Sequence, residues 1–450
     1  QRPVTPDLSP GDILRQLPPS PPVDGEPFDQ LFQDFTDRIV PGMTHWNHPG
    51  WFAYFPGNTS PPSVLAEMLT ATLGAQCMSW ATSPAATELE QLTMEWLRQM
   101  IGLPPQFTGV IQDTASTSTL VALLSAREHA TRPRAGGEPA IDRSRLTVYA
   151  SSEAHSSVEK GVKLAGYDNE LFRRVPVDQR FAMRPDALEE MVDSDISAGL
   201  NPACVVATVG TTSSTAIDPV DRIAEVCRRH GTWLHVDAAY AGTAAIAPEL
   251  RGLFEGVEHA DSLVLNPHKW MLVNFDCSAY FVRDTDRLLR TFRVTPEYLR
   301  TAADPAVVNY RDWGIQLGRR FRALKLWFVI RSYGVSGLQA VVRTHVAMAR
   351  ELAEWIEESS EFELMAPVPL GLVCLRYNPP RLKLDADRLD ELNAALLAHV
   401  NATRRVHLTH TRLAGRYVIR VAVGQRQTGR EHVAEVWRLL RDGAATLEGA

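Results

Sequence analysis

Between Ala203 and Ala238 the chain spells out a strand, a helix and a second strand. Cys204 to Thr208 is a compact apolar and β-branched run. Asp218-Pro219 then supplies an N-cap with proline at the first helical position, and a helical pattern runs to His230, where Gly231 stops it. Trp233 to Val236 is the next strand. Two strands joined by one helix run parallel through a right-handed crossover, which commits this part of the chain to an α/β fold. Leu146 to Tyr149, Ser262 to Leu265 and Ser278 to Val282 are further buried-strand runs alternating with helical segments. The expected core is therefore a mainly parallel central sheet sandwiched by helices.

The flanks read differently. Residues 1–27 carry eight prolines and few large apolar groups, so they predict an extended arm that needs another surface to lie on. Phe28, Leu31, Phe32, Phe35 and Ile39 recur at helical spacing before Pro41-Gly42. Ser83-Pro84 marks the start of a helix through Leu89, Leu92, Trp96 and Met100 to Gly102. After about Tyr333 a long helical stretch leads to strand-like Gly371 to Tyr377, a helix near Leu389 to Val400, strand-like Tyr417 to Val423 and a last helix. That helix opens on a Thr428 to Glu431 capping box and lines up Val433, Val436, Trp437 and Leu440. These elements predict a small C-terminal α+β unit.

A net charge of -7 and no Lys/Arg-rich run give no field for a polyanion, so nucleic acid is not an expected partner. No apolar run is long enough to span a membrane, and the start shows no basic segment followed by an apolar one. Five scattered cysteines without a CxxC pair fit reduced thiols, and the expected location is cytoplasmic.

Two charged residues leave the predicted sheet at its carboxyl edge, where ligands of open α/β folds bind. Asp237 follows Val236, and Lys269 lies in Leu265-Asn266-Pro267-His268-Lys269-Trp270. A lysine enclosed by the following Trp270-Met271-Leu272-Val273 loses hydration, which lowers its pKa and makes the amine nucleophilic. A buried aspartate needs a cationic partner. Pyridoxal phosphate meets both demands: its aldehyde takes a lysine amine, and its ring nitrogen keeps a proton beside a carboxylate. His155 follows the strand at Leu146 to Tyr149 and can stack on such a ring, and Thr114 to Ser118 ahead of a helical run can cradle a phosphate. A solvated lysine, a capping aspartate, a core histidine and an ordinary helix cap are the plain alternatives. His45 and His48 lack a nearby third ligand, so no metal site is expected, and no nucleophile elbow or dinucleotide glycine fingerprint occurs.

These residues sit in longer motifs: Pro41 to Trp46, Phe52 to Pro56, Ser83-Pro84-Ala85, Ala154 to Glu159, Gly210-Thr211-Thr212, His235 to Gly242, Asn266 to Trp270, Asn274 to Ser278 and Leu317 to Arg322. Through them nearly the whole chain resembles the pyridoxal-phosphate-dependent group II decarboxylases, and among these the aromatic-L-amino-acid decarboxylases. The resemblance implies a fold type I homodimer with the active site at the interface. It also implies a partner-wrapping arm over 1–60, a large cofactor domain over 61–325 and a small C-terminal domain over 326–450. Lys269 would be the covalent anchor, Asp237 the pyridinium partner and His155 the stacked imidazole. Thr212 would bond near the ring, Ala115, Ser116 and Asn266 would contact the phosphate, and His268 would border the site. Tyr298, in a polar loop over 291–309, would protonate the α-carbon after carbon dioxide leaves.

Trp46, Tyr54, Phe55 and Trp80 match the family's aromatic substrate pocket, and Gly318 a position where histidine decarboxylases carry serine. The expected reaction is decarboxylation of an aromatic L-amino acid to its amine. Aldehyde-forming relatives carry phenylalanine at the Tyr298 position or lose the equivalent of His155. An aldehyde synthase, a histidine decarboxylase and a catalytically silent interaction protein on the same fold are the alternatives. Three departures stand out: Gly57 replaces a threonine of the animal enzymes, Met78 a phenylalanine, and Asp113 a glycine beside the phosphate loop. The Asp113 carboxylate is expected to point away from the phosphate, which it would repel.

Overall fold

The computed structural model describes residues 2–132, 142–294, 296–299 and 301–448. Seven strands form the larger sheet: β1 (Thr108–Gln112), β2 (Leu146–Ser151), β3 (Phe172–Val175), β4 (Asn201–Thr208), β5 (Trp233–Asp237), β6 (Ser262–Leu265) and β7 (Ser278–Val282). Their order is β1-β7-β6-β5-β4-β2-β3, parallel from β6 to β3, with β7 antiparallel to β1 and β6. Side chains alternate between two apolar layers. Cys204, Val206 and Trp233 pack with Val121 and Ala122 of helix Ala115–Thr131. Val205, Ala207, Leu234 and Val236 pack with Ile223 of helix Val220–His230 on the other face. With both faces covered, the central strands tolerate almost no polar residue, which is why their sequences read as continuous apolar runs.

A second sheet, β8 (Phe362–Leu364), β9 (Leu372–Tyr377), β10 (Thr409–Leu413) and β11 (Arg416–Ala422), is antiparallel in the order β10-β11-β9-β8. Helices Ala386–Ala402 and Arg430–Glu448 cover it through Leu396, Val400, Val433, Val436 and Leu440. The helical stretch Arg322–Glu357 links the two sheets and is broken at Gly334, whose φ of 64° and ψ of 170° only glycine adopts readily. Among the described residues no helix is long and apolar enough to cross a membrane. All five cysteines are buried and unpaired.

Several local expectations are corrected. The helix from Phe28 keeps α geometry only to Asp34 and continues through a wider π turn, Phe35–Ile39, into a short 3-10 turn at Val40–Gly42. Its apolar face meets no core: Phe28 is 75% exposed, and Phe32 and Phe35 are exposed as well. Asp218 does not cap its helix. Its carboxylate accepts the backbone N–H groups of Thr208 and Met183, both at 2.7 Å, because two buried donors have no other acceptor, and burial pushes its pKa up to about 7. The Ser83 hydroxyl donates to the Gln76 carbonyl instead of capping. Thr428 likewise donates to Pro49 O, and Gly429 N–H donates to His432 Nδ1 in place of the capping box. The proline-rich arm is anchored at Val4, whose N–H donates to Arg404 O and whose carbonyl accepts from His45. Strands β1, β3, β8 and β10 are additions to the expected set.

Arg319 lies in the interior, paired with Glu90 at 2.6 Å, donating also to the carbonyls of Ile111 and Cys77 and lying 4.6 Å from the Tyr310 ring centre. It ties the segment after the 291–309 loop to the large sheet. Removing one partner of such a pair strands a buried charge, so Glu90→Ala should destabilise the protein by about 3–5 kcal/mol. Arg343→Ala, at the solvent-screened surface pair with Glu249, should cost far less. Chemical denaturation of the two variants side by side checks the contrast.

Burial holds His345 at about 4, below its ordinary 6.5. Its folded pKa lies under the unfolded value, so the stability it contributes is complete above about 6.5 and is lost as pH falls towards 4. His345→Gln should therefore flatten the dependence of unfolding free energy on pH across this window by one proton, about 1.4 kcal/mol per pH unit. Urea titrations at several pH values read this directly.

Candidate active site

The carboxyl ends of the strands converge on a cavity of about 210 Å³. β5 delivers Asp237 to it, and β6 runs through Asn266 into the one-turn helix Pro267–Trp270, which carries His268 and Lys269. The turn after β2 brings His155, the turn after β4 brings Gly210 and Thr212, and β1 leads into helix Ala115–Thr131, whose first residues Ala115 and Ser116 face the same space. Gly210 has a φ of 86°, and a Cβ there would come within 2.6 Å of the Ala241 Cβ, so this turn demands glycine.

Lys269 places its nitrogen 5.4 Å from the Phe55 ring centre. Burial pulls its pKa below the ordinary lysine value, and the negative charge of Asp237 opposes that shift. Asp237 is 5% exposed and accepts the Ala239 N–H at 3.0 Å. His155 caps its own helix: its Nδ1 accepts the Ser157 N–H at 3.1 Å and lies 2.8 Å from the Ser157 hydroxyl. The neutral ring therefore carries its proton on Nε2. Burial lowers the His155 pKa, Asp237 raises it and Lys269 lowers it further. His268 accepts the Cys277 N–H on Nδ1 at 2.9 Å and is pulled down to about 4 by burial and then by Lys269.

All the residues expected to hold the cofactor thus border one cavity: Lys269, Asp237, His155, Thr212, Ala115, Ser116, Asn266 and His268. Their chemistry fits pyridoxal phosphate. No side chain caps the N-terminus of helix Ala115–Thr131, leaving amides for an anion, and Asn266 Oδ1 and Thr208 Oγ1 are buried without a hydrogen-bond partner among the described residues. Asp113 is not among the lining residues. Its carboxylate accepts from the Thr114 N–H at 2.6 Å and from Gln316 Nε2 at 3.1 Å.

Of the expected substrate residues, Phe55 lines this cavity. Trp46 and Tyr54 are exposed and stack on each other at 5.6 Å. Trp80 donates its N–H to Asn309 Oδ1 and its indole N–H to Glu88, Met78 offers its carbonyl to Arg311, and Gly318 faces Gln76, all outside the cavity of this chain. Tyr298 falls in the turn Glu297–Leu299, and its side chain lies outside the described residues. Sequence reasoning missed Tyr240, which is buried, lines the cavity and stacks on Phe55 at 3.9 Å and on Trp270 at 4.7 Å. Its signal was its place three residues beyond Asp237 on the same strand exit. Thr208 and Ser157 were also missed, although each adjoins an identified strand end or histidine. Among the described residues no three His, Cys, Asp or Glu groups gather in a metal-binding cluster.

The chain is 44% identical to the aromatic-L-amino-acid decarboxylase of Bos taurus over 460 residues, 99% of this chain and 92% of the relative. It is 42% identical to the phenylacetaldehyde synthase of Arabidopsis thaliana over 455 residues, again 99% of this chain and 92% of the relative. The crystal structure of Oryza sativa TDC with PLP and tryptamine superposes with a TM-score of 0.96 at 38% identity, covering 99% of this chain and 94% of that one. Residues 10–378 match the pyridoxal-dependent decarboxylase conserved domain. A lysine, an aspartate and a histidine around one sheet-edge cavity, in a chain whose sequence matches that domain over most of its length, make this protein a member of the pyridoxal-dependent decarboxylase family.

Proposed function

We propose that this decarboxylase acts on an aromatic L-amino acid, releasing carbon dioxide and the corresponding amine, with Lys269 as the covalent anchor of pyridoxal 5'-phosphate. The observation that carries the assignment of roles is the shared cavity of Lys269, Asp237 and His155. When bound, the cofactor supplies an electron sink for the bond to the departing carboxylate. Burial favours the neutral Lys269 amine, the form that attacks an aldehyde. With the cofactor bound, Asp237 would keep a proton on its ring nitrogen, His155 would cover the ring, Thr212 would bond near it, and Ala115, Ser116 and Asn266 would hold the phosphate. His268 borders the reacting centre. Tyr298 returns a proton to the α-carbon.

The aromatic substrate is supported by the Bos taurus relative and by the aromatic lining that Phe55 and Tyr240 give the cavity. Met78, Trp80 and Gly318 do not line the Lys269 cavity of their own chain, which supports a homodimer in which they serve a partner's site. The same dimer would cover the exposed apolar faces of Phe28, Phe32 and Phe35 and of Leu65, Met68 and Leu73 on helix Pro61–Leu73. An arm over 1–60, a cofactor domain over 61–325 and a C-terminal domain over 326–450 is the domain division we adopt, supported by the separate apolar cluster of the second sheet. Five buried thiols support a cytoplasmic setting.

Aldehyde formation is the second reading, favoured by the likeness to the Arabidopsis thaliana enzyme. Product analysis on phenylalanine, tyrosine, tryptophan and dihydroxyphenylalanine should give mostly amine. Aldehyde with hydrogen peroxide and ammonia as the main products would overturn the assignment. Tyr298→Phe should move product from amine towards aldehyde, measured by the same assay with peroxide detection. Lys269→Ala should abolish both turnover and the visible absorbance band of the bound cofactor. A band that survives would place the anchor elsewhere.

A further inference from the structure

Lys269 is gripped from behind by a side chain that does not border the cavity. Asn58 is 1% exposed, and its amide nitrogen donates to the Lys269 carbonyl at 2.9 Å and to the Gly424 carbonyl at 2.8 Å. Its amide oxygen accepts the Arg426 N–H at 2.8 Å. Both donor hydrogens are committed, one to the backbone of the lysine and one to the segment that follows β11.

The next residue is fixed to the same segment. Trp270 donates its indole N–H to His345 Nδ1 at 2.9 Å, and the other ring nitrogen of His345 lies 3.1 Å from the Gln425 carbonyl. Residues 424–426 thus reach Lys269 through Asn58 and Trp270 through His345. The helix carrying the lysine, Pro267–Trp270, is a single turn. One turn cannot hold its own conformation in isolation, so its orientation depends on such outside contacts.

We propose that Asn58 is a positioning residue for Lys269, aiming the lysine into the cofactor cavity by fixing its carbonyl to the C-terminal unit. The proposal rests on the reading of Lys269 as the covalent anchor. Without the amide, two buried carbonyls lose their donor and the turn can rotate about its remaining contacts. Displacement on the scale of an ångström at a reacting group costs rate far more than it costs affinity.

The test uses purified holoenzyme and the variants Asn58→Ala and Asn58→Ser, the serine retaining one donor. Absorbance of the bound cofactor is titrated against pH, and kcat and KM are measured for the preferred substrate. Asn58→Ala should shift the midpoint of the cofactor titration by about half a pH unit. It should also lower kcat about tenfold with little change in KM, and Asn58→Ser should fall between it and the wild type. Ser60→Ala is the comparison, since the Ser60 hydroxyl donates to the Leu272 carbonyl at 2.8 Å, a buried contact of the same kind three residues beyond the lysine. It should lower thermal stability and leave the cofactor titration in place. If Asn58→Ala and Asn58→Ser lose stability alone, as Ser60→Ala is expected to, the positioning role is wrong. If the wild type shows no cofactor band that Lys269→Ala removes, the anchor reading itself fails, a different result from an anchor that works without Asn58.

Discussion

Everything in this fold is arranged around a lysine and an aspartate brought into one partly dewatered space. Desolvation pushes Lys269 towards its neutral form, and the charge of Asp237 offsets part of that pressure. The cavity therefore holds an amine within reach of its nucleophilic form beside a buried aspartate. The carboxyl edge of a parallel sheet presents such groups to an open crevice. Strands bring the residues to the edge, and the turns that follow release them from the ladder.

That edge was legible in the sequence because the strands leading to it are covered on both faces. Burial on two sides writes an apolar run that ends abruptly at the first residue leaving the sheet, and Asp237 and Asn266 stand at those ends. Strands such as β3 (Phe-Arg-Arg-Val) and β10 (Thr-His-Thr-Arg-Leu) lie at sheet edges, where polar residues are tolerated, so their pattern fades into that of loops. Caps failed for another reason. Asp218 and Thr428 have the right identity for a helix start, but buried backbone donors and acceptors from distant segments, at Met183 and Pro49, claimed their side chains first. Local sequence carries no record of those competitors.

The same limit explains what was unseen at the site. Asn58 reaches Lys269 across more than two hundred residues, and Tyr240 gains its role from Phe55 and Trp270, neither of which adjoins it in sequence. Trp46, Met78, Trp80 and Gly318 were identifiable by resemblance to a family pocket, yet within a single chain they do not meet the cavity. The residues expected to hold the cofactor, which end or follow β1, β2, β4, β5 and β6 of one sheet, all reach it.

The second sheet also reaches the cavity walls. Arg420, on β11, is 3% exposed and lies 5.4 Å from the centre of the same Phe55 ring that Lys269 approaches. Its guanidinium donates to the carbonyls of Tyr54, Thr212 and Ser213 and to the Thr409 hydroxyl, and among the described residues it forms no ion pair with a carboxylate. Carbonyl dipoles are weaker partners than a carboxylate, and burial accordingly lowers the Arg420 pKa. Through these donors the cation ties the turn that carries Thr212 and the segment that carries Tyr54 and Phe55 to β11, and so fixes two walls of the cavity from a strand of the other sheet.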